Sequence, residues 1–167
     1  MVEVYRRRGA FGLVVLLVVA LTPPAFAAAA GSSAAAAPAY AGVGNIQRAR
    51  LNYILHCQGC HLPDGSGFVG KVPNMKGYVG NFLQVEGGRE FLVRVPGSAT
   101  TPLGDAALAE LLNWMLFAFS AAQIPESFAP YSAAEVGRLR VRPLQEVEKH
   151  RAVLVSNIER ATAGARQ

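Results

Sequence analysis

Cys57-Gln58-Gly59-Cys60-His61 holds the only two cysteines of this 167-residue chain, in the order C-x-x-C-H. In an exported protein this spacing reads as the attachment site of a c-type haem, each thiol joining a vinyl group and the histidine ligating iron. Other readings of the pair fare worse. A thioredoxin-type dithiol wants a βαβ setting, which the residues around Cys57 do not offer. A structural zinc site wants four ligands, and His56 and His61 complete that number only by crowding all of them into one short stretch. A Cys57–Cys60 disulfide would close too small a loop to stabilise much.

Export is argued by the N-terminus. Arg6-Arg7-Arg8 forms a positive start, Phe11 to Leu21 is apolar, Thr22-Pro23-Pro24 breaks a helix, and Ala25-Phe26-Ala27 is an A-x-A cleavage signature. The apolar run falls short of the roughly 20 residues that span a bilayer. Residues 1–27 are therefore read as a cleaved signal peptide and the location as the periplasm, with membrane association only if the signal is retained. Cleavage removes three arginines and one glutamate, so formal charge falls from +5 to +3. No dense basic cluster interleaved with aromatics occurs, which argues against nucleic acid. The basic surplus lies in the C-terminal third, at Arg138, Arg140, Arg142, Lys149, Arg151, Arg160 and Arg166.

Residues 28–44 are small, uncharged and low in complexity, and read as a flexible tether. Asn45 is a candidate N-cap for a helix in which Ile46, Ala49, Tyr53 and Ile54 share a face leading into Cys57. A second helix is expected from about Asp105 to Phe119, with Leu108, Leu111, Leu112, Met115 and Leu116 on its apolar face and Trp114 beside them. Residues 62–102 are rich in glycine and proline and cannot be mostly helix or sheet. So long an irregular stretch needs something to wrap around, and a buried porphyrin would supply it.

The stretch Cys57-Gln58-Gly59-Cys60-His61-Leu62-Pro63-Asp64-Gly65-Ser66-Gly67 resembles the C-x-x-C-H-x-x-D-G-x-G of class I c-type cytochromes. Val72-Pro73-Asn74-Met75-Lys76-Gly77-Tyr78-Val79-Gly80 is similar to that family's V-P-N-L-x-G-x-x-G. The resemblance covers residues 45–120 and implies an all-α fold, a small haem domain (45–123) whose loops wrap one covalent haem c. Cys57 and Cys60 would hold the haem and His61 would be the proximal iron ligand. Pro73 would pack on the haem and accept a hydrogen bond from the second His61 nitrogen. Met75 and Trp114 would pack on it too, and Ala49 and Tyr53 would cross the Trp114 helix.

The chain departs from that family where the sixth ligand belongs. Residues 88–103, the expected distal loop, hold no methionine or histidine. Met75 and Met115 are the methionines that remain after cleavage and are the candidate distal ligands. Each is equally an adaptable core filler. His150, Lys71 and Lys76 are weaker candidates, and an open position is the alternative. Asn81 stands where an arginine often lies near the haem propionates, leaving Arg89 or Arg94 as substitutes.

Residues 124–167 form a C-terminal helical extension. Ser132-Ala133-Ala134-Glu135 is a capping-box pattern, and Val147, Leu154 and Ile158 make a narrow apolar stripe. The extension reads as a helix docked on the haem domain, or more sharply as a lid or docking element. The expected function is single-electron transfer between redox partner proteins, a periplasmic dehydrogenase and an acceptor or terminal oxidase chain. The chain would act as a monomer or in transient complexes and not as an enzyme, since Glu90 is the sole loop carboxylate near enough to consider for acid–base work. Small-ligand binding or sensing at an open iron is the alternative.

Overall fold

The computed structural model describes residues 40–164, and the signal-peptide reading of 1–27 lies outside them. Asn45 caps α1 (Ile46–His56), its side chain accepting from the Arg48 amide. A 3-10 helix (Val79–Gln84) follows the glycine-rich turns, then α2 (Gly88–Arg94), α3 (Pro96–Ala99), α4 (Asp105–Ser120), α5 (Ala133–Arg140) and α6 (Val147–Gly164). Among the described residues no β-strand forms beyond an isolated bridge between Phe68 and Val72. The all-α expectation holds.

α4 is the hub. Ten of its 16 residues are buried, so it must be covered on more than one side. α1 crosses it, with Ala49 fully buried as the small residue of the crossing and Tyr53 beside it. α5 packs on α4 as well, with Val136 fully buried. The buried face of α1 is narrower than its apolar period implies: Ile46 and Ile54 are exposed and only Ala49 and Tyr53 are buried.

Three buried polar residues on α4 each pin a different segment. Glu110 accepts from the Gly44 and Asn45 amides and pairs with Arg48 at 2.8 Å. Asn113 accepts from the Tyr131 amide and donates to the Tyr131 and Gly42 carbonyls. Ser120 accepts from the Gly80 amide and donates to Gln123. Every one is satisfied, as burial demands.

These bonds correct the extent of the tether. Tyr40 stacks on Phe117 at 5.3 Å, and Gly42 and Gly44 are held by Asn113 and Glu110, so residues 40–44 belong to the folded body. The expected distal loop is likewise structured, since 88–103 contains α2 and α3. Gly87 enters α2 with φ +76, and Pro96 occupies the first turn of α3, where its missing N–H costs nothing.

Burial pushes the Glu110 carboxyl up, but the Arg48 side chain and the Asn45 amide outweigh it and hold the group below its usual range. A depressed carboxyl contributes stability above its unfolded value, about 4.3, that is lost as pH falls through the folded value. Glu110→Ala is expected to cost about 2–4 kcal/mol in denaturant unfolding of the holoprotein at neutral pH, a difference that shrinks on acidification.

Candidate haem site

The C-x-x-C-H segment follows the end of α1 as a hydrogen-bonded turn. The Cys57 and Gln58 amides donate to the Tyr53 carbonyl, and the Cys60 and His61 amides donate to that of Cys57. Residues three and four apart in such a turn share a face, which brings Cys57, Cys60 and His61 together. The Tyr53 hydroxyl donates to the Leu62 carbonyl at 2.7 Å and ties the end of the motif back to α1.

The D-G-x-G stretch makes the next turn. Asp64 accepts from the Ser66 amide and hydroxyl and pairs with Lys76 at 3.0 Å, bonds that hold its carboxyl well below the usual range. Gly65 has φ +80 and lies against the Phe119 ring, where a Cβ would sit 2.5 Å from Cγ. At Gly67 a Cβ would meet the Val72 carbonyl oxygen at 2.1 Å. Only glycine fits at either position.

These turns and the helices enclose a cavity of about 360 Å³, within the common range for cofactor sites of about 300–1,000 Å³. Cys57, Cys60, His61, Pro73 and Met75 line one part of it. Phe82, Phe91, Leu92 and Val95 contribute from the 3-10 helix and the α2 region, and Leu108, Leu111, Leu112 and Met115 from α4. The wall is overwhelmingly apolar. Both methionine candidates reach it, Met75 half-buried and Met115 buried.

Trp114 does not. It is buried in a cluster with Tyr53 and Phe119, at 5.5 and 5.4 Å between ring centroids, and is absent from the cavity wall. The helical period explains the correction: Leu108, Leu111, Leu112 and Met115 take the cavity face, and Trp114 lies about 100° round from Met115, toward α1. Arg89 and Arg94 also turn elsewhere. Arg89 pairs with Glu135 at 2.6 Å and lies over the Tyr131 ring, while Arg94 donates to the Arg142 carbonyl. Glu90 and His150 are exposed and off the wall. Val147, read as part of the apolar stripe, and Arg151, read only as part of the basic surplus, also line the cavity from α6. Their four-residue spacing puts Arg151 on the same face of α6 as Val147, the signal that links the cation to the stripe.

Comparison with known proteins points to the same family. A cytochrome c-552 of Thermus thermophilus is 33% identical over 106 residues, covering 53% of this chain and 81% of that protein. A cytochrome c-552 from a named strain of the same species shows the same identity with 72% of its length covered. The chain belongs to the class I c-type cytochromes. No protein-family profile matches it. As a member of this family it is a haem c electron-transfer protein, and its single C-x-x-C-H corresponds to one haem.

The cavity suits that cofactor. The buried side-chain polar atoms without a hydrogen bond among the described residues are His61 Nδ1 and Thr101 Oγ1, and both residues line it. Burial lowers the His61 pKa, favouring the neutral imidazole that a metal ligand must be. Cys57 and Cys60 are free thiols. Burial, then the neighbouring Cys60, pushes the Cys57 thiol up to about 11, the opposite of an activated redox dithiol. The expected bond from His61 to the Pro73 carbonyl is not made, although Pro73 lines the cavity.

Because Trp114 sits behind the wall, Trp114→Phe is expected to cost about 1–2 kcal/mol in unfolding while the haem absorption bands stay in place. A displaced Soret band would put the indole against the porphyrin.

Proposed function

We propose that this cytochrome is a periplasmic single-electron carrier between a dehydrogenase and an acceptor, delivered by a cleaved signal peptide. In it Cys57 and Cys60 would hold the haem through thioether bonds and His61 would be the proximal ligand of its iron. The carrying observation is that one hydrogen-bonded turn delivers both thiols and the imidazole to the wall of a single apolar cavity. When bound, the haem supplies a one-electron iron couple. The apolar lining limits the access of water, which would limit reorganisation on electron exchange. No carboxylate and no histidine from outside the Cys57 region lines the cavity, which suits a carrier better than acid–base chemistry.

Expressed with its own leader, the protein should accumulate in the periplasmic fraction with haem that resists acid-acetone extraction. The Cys57→Ala, Cys60→Ala double variant should lose that haem, and retention would refute the attachment.

Met75 and Met115 are proposed as the sulfur donors able to complete the iron's coordination, since both reach the cavity. A thioether ligand favours Fe(II) and raises the potential. The ferric protein should then show a far-red sulfur-to-iron charge-transfer band that disappears in either Met75→Leu or Met115→Leu. A high-spin spectrum in the unaltered protein, shifting with carbon monoxide, would point instead to an open iron.

A further inference from the structure

The cavity wall contains one permanently charged side chain. Of its 23 lining residues, only Arg151 carries a fixed charge. Arg151 is half-buried, and among the described residues it makes no ion pair. The other candidate cations are already engaged, Arg89 with Glu135 and Arg94 with the Arg142 carbonyl. Arg140 is also committed, to Asp105 and to the carbonyls of Ala99, Thr101 and Leu103.

Arg151 is a half-buried arginine on an otherwise apolar wall, placed so that an anionic group entering the cavity would meet a cation there. Haem carries two propionates, on the porphyrin edge away from the vinyl groups. Cys57 and Cys60 lie at the end of α1, which packs on α4, whereas Arg151 lies on α6, which packs on the 3-10 helix and α2. The cation therefore comes from a different wall than the thiols. A carboxylate is the counter-charge that a fixed cation on this wall would take.

We propose that Arg151, supplied by the C-terminal extension, is the charge partner of a haem propionate. This rests on the haem reading of the cavity. The acids nearest along α6, Glu148 and Glu159, are both exposed and do not pair with Arg151. α6 thus serves as more than a cover. It places a positive charge where it opposes the extra charge of Fe(III) and so raises the potential.

The test uses the full-length holoprotein with Arg151→Gln and Arg151→Lys, read by covalent haem content, midpoint potential and the propionate bending modes in resonance Raman spectra. With haem retained, Arg151→Gln should lower the potential and shift a propionate mode, and Arg151→Lys should restore most of the potential. Unchanged potential and modes in Arg151→Gln would overturn the proposal. So would a fall in potential that Arg151→Lys fails to restore, which assigns Arg151 to packing or water exclusion. If Arg151→Gln fails to retain haem, restoration by Arg151→Lys supports the pairing, and loss in both overturns it. Absence of covalent haem from the unaltered protein would instead strike the haem reading itself, so the two failures are distinguishable.

Discussion

The structure depends on the burial of α4. A helix apolar over so much of its surface is unstable in water until several partners cover it, and each partner has a separate consequence. Coverage by α1 positions the turn that carries Cys57, Cys60 and His61. Leu108, Leu111, Leu112 and Met115 form one wall of the cavity. Coverage by α5 draws the C-terminal residues into the same compact unit as the motif. Moving α4 would displace the thiols, the cavity and the extension together.

Burying polar groups on that hub confers register. Glu110, Asn113 and Ser120 are costly to bury alone, and each becomes tolerable only when one particular segment arrives to bond it. Glu110 fixes the entry to α1, Asn113 the strap at Tyr131, and Ser120 the backbone at Gly80. A purely apolar α4 could slide against its neighbours, whereas these bonds select one arrangement. The left-handed Gly65 under Phe119 performs the same service for the turn after His61.

What was legible in the chain was local. Asn45 and Ser132 accept from the amides three residues on, as their positions before apolar runs imply, and the bounds of α1 and α4 follow from periodicity. Other assignments failed because they required knowing which face meets which neighbour. Ile46 and Ile54 match the period of Ala49 and Tyr53 but stay exposed. Trp114 is as apolar as Met115 and points elsewhere. Arg89 resembles a propionate partner until Glu135, 46 residues away, claims it. Glycines around 87 and 97 suggest a loop, yet they open or sit within short helices held by burial of Phe91, Leu92 and Val93.

By itself the sequence determined the cofactor class and its attachment chemistry, because the order of thiols and imidazole along one turn is a short-range property. Only the tertiary structure decided the rest of the cavity. Its walls come from residues more than 80 positions apart, and which side chains converge there depends on how α2, α4 and α6 pack. No spacing along the chain encodes that Val147 and Arg151 face the same space as Cys57. That convergence follows from burial of Leu154 and Ile158, which sets the rotation of α6 and with it which of its cations is turned toward the cavity.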